Sequence, residues 1–501
     1  MVFLAGEFAY KIKKPVDLGF LDFTTLEARR ADCESEVLLN RRLAPSVYLG
    51  VVPVARWDSG VKVGGGGGAV EYAVRMERLP EEATLRAMVA RGALDRATVE
   101  LVARRIAAFH DAADTGPEIA RWGRFPVVAA NARENFEQTE RFRGTTVSPA
   151  VWGRLRSLTE EELAARRSRI EARAEGGRVR DGHGDLHLAH VYSFPDREPP
   201  DDLVVVDCLE FSERFRCADT VADAAFLAMD LEFSGRRDLA GAFADAYFEA
   251  AADPDGREFL AFYEAYRAVV RGKVESLETD EEEIPEAQRR DALRRARAHF
   301  LLALRLLAPP AERPCLVLTA GLPGTGKSCL ARNLEERAGF VRIASDAVRK
   351  ELAGLDPEAP APAGVDRGIY TPEWTERTYA ACLERAGALV FEGRRVVLDA
   401  GFREETRRRE VLDAARAWGV QALILACEAP PEEVRRRLEA RATAPGADPS
   451  DADWAVYRAL ADRWEAPAGE TAEALRRIDT SGPPKASLRQ ALDALQAADL
   501  L

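Results

Sequence analysis

The chain has 501 residues, with 71 Lys and Arg against 84 Asp and Glu and a formal net charge of −13. That length implies more than one domain, and the charge argues against general nucleic-acid binding, in which phosphate neutralisation dominates affinity. No run of about 18 apolar residues and no basic-then-apolar start occurs, so a cytoplasmic protein with neither a membrane span nor a secretory signal is expected.

Val2–Gly6 and Glu7–Lys13 read as two strands of a hairpin turning at Ala5-Gly6. A helix is predicted from about Leu26 to Leu43, with Cys33, Val37 and Leu38 on one face. Val47–Val54 and Val70–Met76 alternate as strands joined by Gly64–Gly68, a glycine run with no lysine and no following helix, hence a hairpin tip. Leu79 to about Arg180 is mainly helical. Three of the five histidines then cluster in Gly182-His183-Gly184-Asp185-Leu186-His187-Leu188-Ala189-His190, followed by an apolar strand Leu203–Asp207 ending on a carboxylate. Helices resume through Asp219–Glu232, Ala242–Ala251, Phe259–Lys273 and from Pro285 to Leu307. Ala308-Pro309-Pro310-Ala311-Glu312-Arg313-Pro314 is the clearest linker, which sets expected domains at 1–309 and 310–501. The second part alternates strand and helix, with strands at Leu316–Thr319, Val341–Ala344, Arg395–Asp399 and Ala422–Cys427, the pattern of a parallel α/β sheet. Seven cysteines are scattered without a C-x-x-C pair, which favours buried reduced thiols over disulfides or zinc.

The most specific stretch is Gly321-Leu322-Pro323-Gly324-Thr325-Gly326-Lys327-Ser328, which fits G-x-x-x-x-G-K-[ST] between an apolar strand and a helical run. Its glycines allow backbone N–H groups to turn around phosphate oxygens, and the following helix N-terminus adds a positive field. Lys327 then reaches the outer phosphates of ATP, and the Ser328 hydroxyl is a Mg²⁺ ligand. Asp346, at the carboxyl end of strand Val341–Ala344, faces the ligand crevice of such a sheet. It can accept the proton of an attacking hydroxyl, and Arg349, one turn on, can hold a negative substrate or the transferring phosphoryl group. An N-capping Asp and a surface Arg are the alternative. Asp399 ends an apolar strand like the aspartate that holds the Mg²⁺ shell. Pro431–Arg441 is an arginine-rich helix running into the loop Thr443–Asp451, either a lid whose arginines, Arg437 and Arg441 among them, close over the triphosphate, or a solvated helix.

Together Gly321–Ser328, Asp346-x-x-Arg349, Val396–Asp399 and the arginine helix resemble the small P-loop kinases that include polynucleotide, chloramphenicol and gluconate kinases. The resemblance implies ATP-dependent phosphoryl transfer to a hydroxyl of a small molecule. His183-Gly184-Asp185-Leu186-His187 with Asp207 resembles the catalytic loop and metal aspartate of aminoglycoside phosphotransferases, of α+β protein-kinase-like fold. There the resemblance implies Asp185 as base, Asp207 on Mg²⁺, Lys11 as the phosphate-pairing lysine with Glu36 as its ion-pair partner and Lys13 as the alternate, and Asp223 as the brace of the catalytic loop. Two departures stand out. His190 occupies the position of a metal-binding Asn, and imidazole is a poorer Mg²⁺ ligand than an amide oxygen. The chain also begins inside the expected first-lobe sheet, so the first strand and the loop that covers ATP are expected to be missing, with either a true start upstream of Met1 or a degenerate lobe as the explanation. The domain order resembles proteins described as bifunctional aminoglycoside phosphotransferase/ATP-binding proteins. A ligand-sensing pseudokinase in the first part and a nucleic-acid end kinase in the second are the competing readings. Zinc at the three histidines is disfavoured because no i, i+4 H-E-x-x-H and no nearby Cys accompany them.

Overall fold

The computed structural model describes residues 1–16, 23–57, 60–65, 68–356, 367–443 and 452–501. Contacts divide the chain into two compact units, Met1–Glu134 with Glu160–Arg267, and Asn135–Thr159 with Ala268–Leu501. The segment 308–314, expected as a linker, lies inside the second unit and carries a short 3₁₀ turn at Pro310–Glu312.

The first unit opens with an antiparallel sheet of β1 (Val2–Ala5), β2 (Phe8–Ile12), β3 (Tyr48–Trp57), β4 (Gly60–Val63) and β5 (Ala69–Glu77), in the order β1-β2-β5-β3-β4. β4 was not expected: the glycine-rich stretch after it, of which 66–67 lie outside the described residues, joins β4 to β5 and does not join β3 to β5 directly. Helix Leu26–Asn40 is N-capped by Thr25, whose hydroxyl accepts the Ala28 N–H at 3.1 Å, and it packs on β5 and β3. It ends three residues sooner than predicted, at Asn40, and Leu38 is 73% exposed, so the inward face runs through Cys33, Glu36 and Val37. The expected strand to Asp207 is also shorter. β8 (Leu203–Val205) pairs antiparallel with β7 (Val191–Ser193), and Asp207 lies beyond it at φ 64°. A second short pair joins β6 (Val179–Asp181) to β9 (Cys217–Asp219), and Thr220–Phe233 is an almost wholly buried helix behind these ribbons. Leu186, Leu188, Val191 and Val205 join that helix in one apolar core, which anchors the histidine-rich loop from below.

The second unit holds a five-stranded, all-parallel sheet of β10 (Cys315–Ala320), β11 (Phe340–Ala344), β12 (Arg395–Asp399), β13 (Gln421–Glu428) and β14 (Leu475–Asp479), ordered β11-β12-β10-β13-β14. Four of these were predicted. β14 is an edge strand that was missed. Every residue of β10 and β12 is buried, as parallel strands covered on both faces require. The chain leaves β10 toward β12 and β11, then returns past it to β13, so the loop after β10 sits where the strand order reverses, the place where open α/β sheets bind ligands. Among the described residues no helix is long and apolar enough to cross a membrane, and all seven cysteines are free.

Candidate functional site

The loop from Gly321 to Gly326 leaves β10 and feeds helix Lys327–Ala338. Its conformation depends on glycine at three points, Gly321, Gly324 at φ 78° and Gly326. Gly321 has φ 140°, and a Cβ there would stand 2.6 Å from the Cys427 carbonyl; Gly326 caps the helix at φ 91°. The Gly321 N–H donates to Gly401 at 3.0 Å, and the Thr325 hydroxyl donates to the Leu322 carbonyl at 2.8 Å. Thr480, beyond β14, steadies the loop by donating its hydroxyl to the Thr325 carbonyl at 2.6 Å. Lys327 donates to the Leu322 carbonyl at 2.7 Å, which curls its ammonium back over the loop.

Ser328 donates to Asp399 Oδ1 at 3.2 Å, across from β12. The other carboxylate oxygen, Oδ2, is held by Arg342 of β11 through Nε at 3.0 Å and Nη2 at 2.7 Å. A hydroxyl and a buried carboxylate oxygen side by side are the hard oxygen donors that Mg²⁺ takes, so these two side chains fit that ion. Arg342 is a functional neighbour that sequence reasoning passed over as a strand residue. Asp346 lies in the first turn of helix Ser345–Leu352, whose N-cap is Ala344, so Asp346 is not the cap residue. Loss of hydration pushes the Asp346 carboxyl above its ordinary range, Arg349 opposes that rise and Asp399 adds to it. Arg349 is buried at 6% exposure, donates to the Ile369 carbonyl at 2.9 Å and to the Thr375 hydroxyl at 3.3 Å, and lies 5.0 Å from the Tyr370 ring centre.

A cavity of about 390 Å³ collects these groups. Gly321, Leu322, Pro323, Gly324, Gly326, Lys327, Ser328, Asp346, Arg349, Asp399, Arg437 and Arg441 all line it. Of the predicted loop only Thr325 does not line it, its side chain being buried. Arg437 donates to the Thr480 carbonyl at 2.6 Å and to Glu433 at 2.7 Å, and Arg441 donates to the Ala452 carbonyl. The loop predicted after this helix falls at 444–451, outside the described residues. Tyr370, Thr375, Tyr379, Arg403 and Arg407 also reach the cavity and carried no sequence signal of their own.

In the first unit Lys11 lies 2.9 Å from Glu36 Oε1 and donates to Asp207 Oδ1 at 2.6 Å. Lys13 meets Glu36 Oε2 at 2.6 Å and Asp32 at 2.8 Å, and pairs with Glu210, so both lysines of the strand face share Glu36, which is fully buried. Asp223 accepts the N–H groups of His183 at 2.7 Å and Gly184 at 2.9 Å, with His110 Nε2 at 3.2 Å. His183 turns away to the Val206 carbonyl at 3.0 Å. Asp185, His187 and His190 instead converge, their ligand atoms within 4.8 Å of one another, a cluster able to hold a metal ion in the loop where the sequence disfavoured zinc on the three histidines. His190 Nε2 is 3.6 Å from Asp207 Oδ2 and its Nδ1 is 2.9 Å from the Asp185 carbonyl. Burial, then His187, lowers His190 to about 4; against burial, Lys11 and His190 hold Asp207 below its ordinary range, and His187 and His190 do the same for Asp185. Two imidazoles among carboxylates form a softer donor set than Mg²⁺ prefers.

A family model described as an AAA domain matches residues 316–467, the segment that holds the phosphate loop. Among solved structures, a gluconokinase from Sinorhizobium meliloti 1021 is 19% identical, covering 37% of this chain and 94% of its own at a TM-score of 0.28. A putative kinase from Chloroflexus aurantiacus j-10-fl is 16% identical, covering 38% and 98% at a TM-score of 0.30. Over 494 residues the chain is 34% identical to proteins of Mycobacterium tuberculosis and Mycobacterium bovis, named "Uncharacterized protein Rv2004c" and "Uncharacterized protein Mb2027c", with 98% of this chain and 93% of theirs aligned. The chain therefore belongs to the family of these mycobacterial proteins.

Proposed function

We propose that the second unit is a kinase that transfers a phosphoryl group from ATP to a hydroxyl of a small molecule in the cytoplasm. The observation that carries this reading is the presence of Asp346 in the same cavity as Lys327, Ser328 and Asp399. A second carboxylate facing that cavity, with its proton affinity raised, is placed to accept the proton of an attacking alcohol. In this reading the loop N–H groups and Lys327 hold the phosphates, Ser328 and Asp399 hold Mg²⁺, and Asp346 takes the hydroxyl proton. Arg349, Arg437 and Arg441 balance charge on the oxygens around it. Bound Mg²⁺ neutralises charge on the phosphate oxygens. Transfer of labelled γ-phosphate from ATP to a panel of hydroxyl acceptors tests the reading: it requires transfer by the wild type and none by Asp346→Asn, with nucleotide binding kept.

The first unit carries a phosphotransferase-like constellation in this proposal, with Asp185 as base, Asp207 and His190 at the metal, and Lys11 with Glu36 on the phosphates. Support comes from the Lys11 contacts with Glu36 and Asp207 and from the bracing of the 183–185 backbone by Asp223. A second reading, a ligand-sensing module without phosphoryl transfer, is favoured by His190, whose imidazole suits Mg²⁺ poorly. Domain limits at 1–309 and 310–501 are retained in the proposal as chain limits of the two activities.

A further inference from the structure

Two arginines in the second unit's cavity have hydrogen-bonding capacity that the protein leaves unused. Arg349 Nε and Arg407 Nη1 are buried without a hydrogen-bond partner among the described residues. Arg349 forms no ion pair with any described carboxylate: its donors reach only the Ile369 carbonyl and the Thr375 hydroxyl. Arg407 gives Nε to Glu404 at 2.9 Å and Nη2 to Glu376 at 3.0 Å, which leaves Nη1 over. A buried guanidinium with an unmet N–H is costly, and a ligand oxygen that accepts from it removes the cost; an oxyanion offers such oxygens together with a negative charge for Arg349.

The two side chains come from different helices, Ser345–Leu352 and Glu405–Ala417, and converge on one face of a third, Pro372–Phe391. Arg349 bonds Thr375, and Arg407 lies 4.7 Å from the ring centre of Tyr379, the residue one helical turn on. Both line the cavity that holds Asp346. Arg437, by contrast, belongs to the phosphate loop, where a Cβ at Gly326 would stand 3.7 Å from its guanidinium. A neighbouring cavity of about 370 Å³ shares Ser345, Tyr379, Ala400 and Arg407 with the first and gives room for the rest of an acceptor.

Resting on the kinase reading above, we propose that the acceptor carries an oxyanion, a carboxylate or a phosphate, seated between Arg349 and Arg407 while its hydroxyl faces Asp346. The anion accepts from Arg349 Nε and Arg407 Nη1, and guanidinium geometry suits either oxyanion.

The test is calorimetric, on the full chain with the phosphate loop saturated by the Mg²⁺ complex of the non-hydrolysable analogue AMP-PNP. Glycerol, glycerate and glycerol 3-phosphate are then titrated as a charge series on one polyol. At least one anion is expected to bind at least tenfold tighter than glycerol, and which one it is distinguishes carboxylate from phosphate. Arg349→Gln and Arg407→Gln each weaken that binding at least tenfold, Arg407→Lys by less, and Arg407→Gln leaves the AMP-PNP affinity unchanged. The proposal is overturned if neither anion outbinds glycerol, or if the anion binds the folded Gln variants as it binds the wild type. Failure of the kinase reading has a separate signature, no transfer of labelled γ-phosphate from ATP to any hydroxyl acceptor by the wild type.

Discussion

Arg342 and Asp399, on adjacent parallel strands, are locked together by two hydrogen bonds at 3.0 and 2.7 Å, with the carboxylate almost fully buried. The pair leaves one Asp399 oxygen for Ser328 and fixes the direction in which that oxygen points. Removing the cation while keeping its bulk isolates a buried negative charge. Arg342→Met is expected to lower unfolding stability by about 3 kcal/mol, the usual cost of breaking a buried pair. Urea denaturation of the second unit's transition measures it. Because Mg²⁺ supplies a replacement positive charge at Asp399, the loss is expected to shrink when Mg²⁺ and nucleotide are present; an equal loss in both conditions would remove Asp399 from the metal site.

Lys327 lines the cavity and donates to a loop carbonyl, a neutral hydrogen bond whose loss costs the fold little. Its value lies in the phosphates. Lys327→Ala is expected to weaken nucleotide binding about tenfold to a hundredfold, the range of one charge-assisted contact, with an unchanged melting temperature in the absence of nucleotide. Calorimetric titration and a thermal melt read the two effects separately.

The phosphate loop was legible because its chemistry is local: glycine spacing, one lysine and one hydroxyl follow a buried apolar strand within a dozen residues. Asp346 and Asp399 were legible for a related reason: Asp399 ends a strand of the parallel sheet and Asp346 lies just past the end of another. What escaped was anything set by the pairing of distant strands. Arg342 reads as an ordinary strand residue until β11 lies beside β12 in the register Ala344 to Asp399. β14 escaped because two of its five residues are exposed arginines on an edge, which dilutes the apolar pattern. In the first unit, Lys11 meets Asp207 across 196 positions of sequence, a distance that only the resemblance to a known family suggested. The metal-capable grouping of Asp185, His187 and His190 was missed because a loop, not a helix, brings the three together.

Asp346 offers a pH test with a defined sign. Its carboxyl is held above the ordinary aspartate range, so the folded state binds a proton more tightly there than the unfolded chain does. Stability from this group is therefore greatest below the unfolded value and declines as pH rises through the folded one. Asp346→Asn is expected to raise the melting temperature slightly at pH 7 and to flatten that decline. In catalysis the requirement is opposite, because the base acts deprotonated. Turnover is expected to rise with pH through an apparent pKa above the ordinary aspartate value.

Asp223 holds two backbone N–H groups of the histidine-rich loop and His110 in a fully buried setting. Asp223→Ala strands those donors away from water, at a cost of about 3 kcal/mol by the usual penalty for buried unsatisfied groups. A lowered denaturation midpoint for the first unit is the expected readout. Asp223→Asn, which can still accept one of the bonds, is expected to lose less.

The two units can be separated by chemistry. If each transfers phosphoryl groups, each needs its own carboxylate base, and the two bases share no residue. Asp185 is bracketed by His187 and His190 at 3.6 Å, which keeps its carboxylate ionised, whereas Asp346 has its proton affinity raised. Asp185→Asn removes the charge at one site and preserves its shape. The expected result, with ADP release followed against a panel of sugars, aminoglycosides and nucleosides, is loss of turnover with one acceptor class and retention with another. Lys327→Ala is expected to give the complementary pattern. Retention of every acceptor-dependent rate in Asp185→Asn would assign all phosphoryl transfer to the phosphate-loop unit. The cluster of Lys11 and Asp207 around the buried Glu36 would then be left with a ligand-sensing role.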